Sequence, residues 1–72
     1  MNPLKIIEYI RRHNLTKSEF CKRCNIKLST LDSIIYYGNN VDYKVVEQIS
    51  NGMGIGVYEL YSYDYQKNFF IF

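Results

Sequence analysis

The sequence predicts an all-α fold, a compact bundle of five helices. Apolar residues recur three and four residues apart in successive segments, a spacing typical of helices with one buried face. Residues that favour helix starts and helix ends divide the chain into five such segments. Hydrophobic residues make up 47% of the 72 residues, which supports a closely packed helical core, whereas a sheet would need more chain to bury both faces. We therefore expect one helical domain over residues 1–61, followed by an apolar tail over residues 62–72.

The first helix is predicted over residues 3–13. Asn2 is a good N-cap, and Pro3 suits the first helical position, where its missing N–H costs nothing. Asn14 tolerates the left-handed conformation that ends many helices. The apolar stripe of this helix consists of Leu4, Ile6, Ile7 and Ile10.

The second and third helices are predicted within residues 15–38, with a tight turn near residues 25–27. Thr16 and Glu19 have the spacing of a capping box, in which each side chain bonds the backbone N–H of the other. Asn25 ends the second helix in place of glycine, and Gly38 ends the third, which starts at residue 28. The inward-facing residues are Phe20, Cys21 and Cys24 on the second helix, and Leu31, Ile34 and Ile35 on the third.

The fourth helix is expected to begin after Asp42 as its N-cap and to run to about residue 51. A glycine-punctuated turn follows, and a short fifth helix is predicted at about residues 57–62, which would bury Val57 and Leu60. In the tail, Tyr61, Tyr63 and Tyr65 alternate with polar residues, which is a strand-like period of two. The chain then reads Phe-Phe-Ile-Phe over residues 69–72, and such a patch is expected to pack on its own domain or on a second copy.

Charge is unevenly distributed along the chain. The net charge is only +2, but residues 1–44 carry +4 and residues 45–72 carry −2. The basic half contains the second and third helices, which suggests a polyanionic partner on that side. We see no signal peptide and no run of about 20 apolar residues that could span a membrane, and we expect a cytoplasmic protein.

Cys21 and Cys24 form the one pair that invites chemistry, but core packing is the favoured interpretation. A zinc site would need two further ligands, and the single histidine, His13, lies on another helix. Neither a nucleophile with a base nor a paired-carboxylate site is visible, so we expect a protein that is not an enzyme and binds no metal or cofactor. The glycines between residues 52 and 56 lack the flanking strand and Lys-Ser/Thr of a nucleotide loop.

The order and spacing of these segments resemble a known family. The matching residues are LTKSEF at 15–20, then Ile26, Ser29, Thr30, Leu31 and Ile34, and later the runs DYKVVEQI at 42–49 and MGI at 53–55 with Tyr58, Glu59 and Leu60. They are similar to the phage Cro/repressor-type helix-turn-helix domain, also called the xenobiotic-response-element type. The resemblance covers about residues 4–61. It implies a lambda-repressor-like bundle of five helices that binds operator DNA, usually as a dimer, and regulates transcription.

The resemblance also implies roles for individual residues. The base-facing positions of the third helix would be Lys27, Leu28, Ser29, Asp32 and Ser33. Contacts with the DNA backbone would come from Lys17, Thr30, Tyr37, Asn39, Asn40, Tyr43 and Lys44. The third helix has no arginine and carries Asp32, an acid that can accept a hydrogen bond from a cytosine amino group but repels phosphate.

Two hypotheses follow. The first is a sequence-specific DNA-binding regulator, in which a homodimer places two third helices about 34 Å apart on a pseudo-palindromic operator. Its dimer interface would include Leu60, Tyr61, Phe69, Phe70, Ile71 and Phe72. The second is a module of the same fold that binds another repressor or a host protein through its tyrosine-rich surface, since eight tyrosines are many for so small a domain.

Overall fold

A computed structural model describes residues 1–38 and 41–61 of the chain. Within these ranges the protein is all-α, with five helices and no strand, which confirms the predicted fold class at this level. The helices are α1 (Pro3–Arg12), α2 (Lys17–Cys24), α3 (Leu28–Tyr37), α4 (Tyr43–Met53) and α5 (Val57–Tyr61). None of these helices is long and apolar enough to cross a membrane. The predicted strand-like alternation and the apolar tail of residues 62–72 lie outside the described residues.

The starts of α1 and α2 are capped as the sequence predicts. The Asn2 side chain accepts a hydrogen bond from the Leu4 N–H at 3.1 Å, and Pro3 occupies the first turn of α1. At α2, the Thr16 hydroxyl accepts from the Glu19 N–H at 3.1 Å, and the Glu19 carboxylate accepts from the Thr16 N–H at 2.8 Å. Both halves of the predicted capping box are therefore formed.

The helix ends also follow the predicted residue chemistry. Asn14 and Asn25 have positive φ values of 53° and 56°, and Gly38 ends α3 with a φ of 61°. This left-handed conformation strains most side chains, but asparagine and glycine tolerate it. Because Asn25 turns the chain directly after α2, only residues 25–27 separate α2 from α3.

The fourth helix begins as predicted but ends later than predicted. Asp42 is the N-cap residue of α4, as expected, but its side chain makes no capping hydrogen bond. The helix continues to Met53 rather than to about residue 51, and Gly54 ends it in the left-handed conformation. The two extra residues, Gly52 and Met53, are half-buried, and Met53 packs against the core.

Nine buried residues from all five helices form the core. Helix α2 packs against both α3 and α4, while α1 packs against α3 and α5, and α4 packs against α5. The core residues are Ile6, Phe20, Cys21, Cys24, Leu31, Ile34, Val46, Ile49 and Leu60. Leu4 was predicted in the buried stripe of α1, but it is 59% exposed because Ile6 takes the central position of that helix.

Leu60 requires a correction to the predicted dimer interface. Its side chain is completely buried in the core of its own chain, and its carbonyl accepts a hydrogen bond from the Asn2 N–H at 2.7 Å. A side chain already buried in this way has no surface to offer to a second copy. The neighbouring Tyr61 remains 48% exposed, so its side chain is not buried in the same way.

Candidate nucleic-acid interface

The turn between α2 and α3 is held by backbone hydrogen bonds. The Ile26 N–H donates to the Cys21 carbonyl at 3.0 Å, which draws the chain back onto α2. The Lys27 carbonyl then accepts from the N–H groups of Thr30 and Leu31, at 3.1 and 3.2 Å, and so starts α3. Since these bonds and the buried Leu31 fix α3 against α2, the first turn of α3 has a defined direction.

That first turn is exposed and carries no side-chain cap. Lys27 is the N-cap residue of α3, but lysine has no acceptor atom, and no side-chain hydrogen bond caps the helix. The side chains of Lys27, Leu28 and Ser29 are exposed, whereas those of Asp32 and Ser33 are half-buried. The predicted base-facing set therefore divides into an exposed first turn and a more enclosed second turn.

The first turns of α3 and α4 lie side by side. A shallow groove of about 270 Å³ runs between them, lined by Asn25, Ile26, Lys27, Thr30, Val45 and Gln48. Tyr43 and Lys44, which precede Val45 in the first turn of α4, are both exposed. Of the predicted backbone-contacting residues, Thr30 lines this groove, and Tyr43 and Lys44 directly precede the groove residue Val45. Gln48 lines the same groove and was not singled out from the sequence.

The ammonium group of Lys17 is paired with other side chains of the protein. Its ammonium donates a hydrogen bond to Asp32 Oδ1 at 3.3 Å and a second one to the Tyr36 hydroxyl. The nitrogen also lies 4.3 Å from the centre of the Tyr36 ring, within range of a cation–π contact. The hydrogen bond to Tyr36, followed by Asp32, raises the pKa of Lys17 above its usual value, so the ammonium keeps its proton.

This cluster joins two residues that the resemblance assigned to different contacts. Lys17 was expected at a phosphate and Asp32 at a base, yet the two neutralise each other across α2 and α3. Both remain about 40% exposed, at 40% for Lys17 and 39% for Asp32, so solvent and a ligand can still reach the pair. Tyr36 was not predicted to take part, although it follows Asp32 by four residues and therefore lies on the same face of α3.

A second groove borders the Lys17 cluster. It encloses about 410 Å³ and is lined by Ile7, Ile10, Arg11, Lys17, Ile35 and Tyr36. Its lining includes three isoleucines from α1 and α3 and two cationic residues, Arg11 and Lys17. The residues of α3 that line this groove, Ile35 and Tyr36, differ from Thr30, which lines the groove beside α4.

Both cysteines belong to the core, as predicted. Cys21 is 6% exposed and Cys24 is 2% exposed, and the Cys24 thiol points at the Ile49 carbonyl, 3.8 Å away. Burial raises the pKa of Cys24 to about 11 and also raises that of Cys21. The thiolate, which is the reactive form, is therefore disfavoured at both positions. Within residues 1–38 and 41–61, no three His, Cys, Asp or Glu side chains are grouped closely enough to hold a metal ion.

The remaining predicted site residues are dispersed or undescribed. Tyr37 is 76% exposed at the C-terminal end of α3, away from the first turn of that helix. Asn39 and Asn40, predicted to contact the DNA backbone, lie outside the described residues, as do the predicted interface residues Phe69, Phe70, Ile71 and Phe72.

Comparison of the chain with protein-family models, with curated proteins and with solved structures found no match.

Proposed function

We propose that the protein is a sequence-specific DNA-binding regulator of transcription, of phage or bacterial type, that acts as a repressor. In this proposal α2, the turn and α3 form a helix-turn-helix, and α3 enters the major groove. The observation that carries the proposal is the exposed, uncapped first turn of α3, which lies beside the exposed first turn of α4 and has a lysine on each of the two turns, Lys27 and Lys44.

This arrangement suits the two tasks of a DNA reader. Helix starts and lysines bind phosphate oxygens, which fixes the position of a protein on the duplex. Side chains at the start of a recognition helix reach the base edges in the major groove, where each base pair presents a different pattern. Lys27, Leu28 and Ser29 are placed for base edges, with Asp32 and Ser33 one turn further along α3.

We further propose that the protein acts as a homodimer. A single copy offers few side chains to base edges, so two copies about 34 Å apart would double the site that is read. Tyr61, which is 48% exposed, and the apolar residues 69–72 are the proposed interface, without Leu60. The operator would then be a pseudo-palindrome.

Selection of bound duplexes from a random DNA pool tests this proposal directly. We expect an enriched sequence with two related half-sites, whose centres are one turn of DNA apart. An enriched single half-site with a monomeric mass would refute the dimer alone. A pool that shows no binding at low salt would refute the DNA-binding function.

A protein-binding module of the same fold is the second candidate, and two observations favour it. Five exposed tyrosines lie on the surface of the described residues, and their exposure ranges from 48% at Tyr61 to 84% at Tyr58. In addition, the pairing of Lys17 with Asp32 reduces the positive charge beside α3. In this role the protein would bind another repressor or a host protein, and its binding would depend on tyrosines rather than on lysines.

Paired variants separate the two candidates. Replacing Lys27 and Lys44 with alanine removes two exposed cations beside α3 and is expected to abolish regulation if the target is DNA. Tyr58→Ala changes the most exposed tyrosine, which lies on α5, and is expected to leave DNA binding intact. The opposite pattern of effects on regulation in cells would favour the protein-binding module.

A further inference from the structure

We propose that Asp32 is a specificity-determining residue, which restrains binding to DNA in general and selects cytosine through the amino group that this base presents in the major groove. This inference rests on the proposed DNA-binding function and deepens it. It starts from the ion pair between Lys17 at the start of α2 and Asp32 in the second turn of α3, two residues 15 positions apart in the chain.

Asp32 affects phosphate binding in two ways. The ion pair occupies the ammonium of Lys17, which Asp32 and the Tyr36 hydroxyl hold together. In addition, Asp32 places a carboxylate on α3, a helix whose sequence contains no lysine or arginine. Since affinity for DNA of any sequence comes mainly from cations at phosphates, both effects lower that background affinity. A DNA-binding protein with low affinity for other sequences distinguishes its operator better from them.

The Asp32 carboxylate can also favour binding at one kind of base. The ion pair uses Oδ1 of Asp32, while in the described part of the chain Oδ2 has no hydrogen-bond partner. An ionised carboxylate only accepts hydrogen bonds, so it matches the amino group of cytosine and repels the acceptor atoms of guanine. With a side chain 39% exposed, Asp32 is accessible to such a group.

Two substitutions separate these roles of the carboxylate. Asp32→Asn keeps the shape of the side chain but removes its charge, and asparagine pairs best with adenine. Asp32→Ala removes both the charge and the hydrogen-bonding group. Glu8→Gln is the matched control, because Glu8 is an exposed acid on α1 that lines a different groove, together with Tyr9 and Met53.

The experiment measures binding of the full chain to its selected duplex and to a scrambled duplex of equal length over a range of salt concentrations. For both Asp32 variants we expect affinity for scrambled DNA to rise by roughly three- to tenfold at low salt. The salt slope, which is the slope of log affinity against log salt concentration, should become steeper by about 0.9 because Lys17 becomes free to bind a phosphate. Selection with Asp32→Ala is expected to lose a preference for cytosine of roughly tenfold at one position in each half-site. With Asp32→Asn that position is expected to change to adenine.

The Lys17→Gln variant shows whether Asp32 acts through Lys17. In that background, Asp32→Asn is expected to leave the salt slope unchanged while still changing the base preference. Unchanged affinity for scrambled DNA and an unchanged selected sequence in both Asp32 variants would overturn the inference while leaving the proposed function in place. An equal rise in affinity with Glu8→Gln would also overturn it, since net charge alone would then explain the effect.

The outcomes for the unsubstituted protein keep the two proposals distinct. If it binds no duplex and Asp32→Asn binds none either, both the proposed function and the role of Asp32 are refuted. If only the Asp32 variants bind DNA, the restraining role of Asp32 is supported, whereas its selection of cytosine and the proposed function of the unsubstituted protein are refuted. Thermal unfolding of each variant verifies that a change in binding does not reflect a loss of folded protein.

Discussion

Gly52 on α4 packs directly against Cys24 on α2. A Cβ atom at residue 52 would stand 3.0 Å from Cys24 Cα and 3.1 Å from its backbone nitrogen, and would overlap the thiol sulfur. The closest approach of these two helices therefore requires a residue without a side chain. The Tyr9 hydroxyl strengthens the same junction, because it donates to the Gly52 carbonyl at 3.4 Å and accepts from Arg23 Nη1 at 2.9 Å.

Replacing Gly52 with alanine is expected to destabilise the protein by about 1–3 kcal/mol, because the added methyl group meets the backbone of α2 and not only a movable side chain. Alanine favours helices by about 1 kcal/mol over glycine, a gain that the collision outweighs. The matched control is Gly56→Ala, where an added Cβ meets nothing within 4 Å. Urea unfolding of both variants measures the difference, and equal stabilities would contradict the tight contact.

The sequence predicted those features of the fold that depend on neighbouring residues. The capping box of Thr16 and Glu19 and the left-handed ends at Asn25 and Gly38 each require only local backbone chemistry, and all are formed. The apolar spacing likewise indicated that Phe20, the two cysteines and Leu31 would be buried. The all-α fold follows from these local signals, since each helix has one apolar face.

The features that the sequence did not predict depend on residues far apart in the chain. Lys17 donates a hydrogen bond to Tyr36, which lies 19 positions later in the chain, and Gly52 on α4 packs against Cys24 on α2. Helical spacing predicted that Leu60 would be buried, but it did not show that the core of its own chain, rather than a second copy, buries it. For the candidate site, the exposed start of α3 could be predicted from the turn, whereas the neutralisation of Lys17 by Asp32 could not.

The buried thiol of Cys24 is expected to make the protein less stable in alkaline solution. Burial raises the pKa of this group from 9.0 to about 11, so the folded chain holds the proton more tightly than the unfolded chain. The contribution to stability is complete below pH 9 and is lost as the pH rises towards 11, with a total on the order of 3 kcal/mol.

Urea unfolding between pH 8 and 11 tests the role of Cys24. The Cys24→Ala variant should lose less stability over this range than the unsubstituted protein, because tyrosines and lysines titrate in both proteins while the thiol titrates in only one. Parallel losses in the two proteins would show that the thiol does not contribute.

Removing the capping box is expected to weaken the start of α2. Thr16→Ala deletes the hydroxyl that accepts from the Glu19 N–H and should lower the free energy of unfolding by about 1 kcal/mol. Ser18→Ala, in the same turn but outside the box, is the control and should change stability little. Thermal unfolding of the two variants compares them, and an equal loss in both would indicate a general effect on α2.

Glu19, the acidic residue of the capping box, is expected to make the stability of the protein depend on pH. The hydrogen bond from the Thr16 N–H lowers the pKa of Glu19 below 4.5, since the bond favours the ionised carboxylate. The contribution of Glu19 is therefore present above pH 4.5 and is lost as the pH falls through the lowered pKa. The Glu19→Gln variant should show a smaller loss of stability in acid than the unsubstituted protein.

Lys27→Ser is expected to change stability and DNA binding in opposite directions. Lys27 occupies the N-cap position of α3 without a capping side chain, so serine should add a hydrogen bond and stabilise the protein by about 0.5–1 kcal/mol. The same change removes an exposed cation from the proposed interface, which should reduce the slope of log affinity against log salt by about 0.9. Lys5→Ala is the control, since Lys5 lines a groove with Met53 and Ile55 on another side of the bundle and should leave the slope unchanged. A more stable variant that binds its selected duplex with an unaltered salt dependence would exclude Lys27 from the DNA contact.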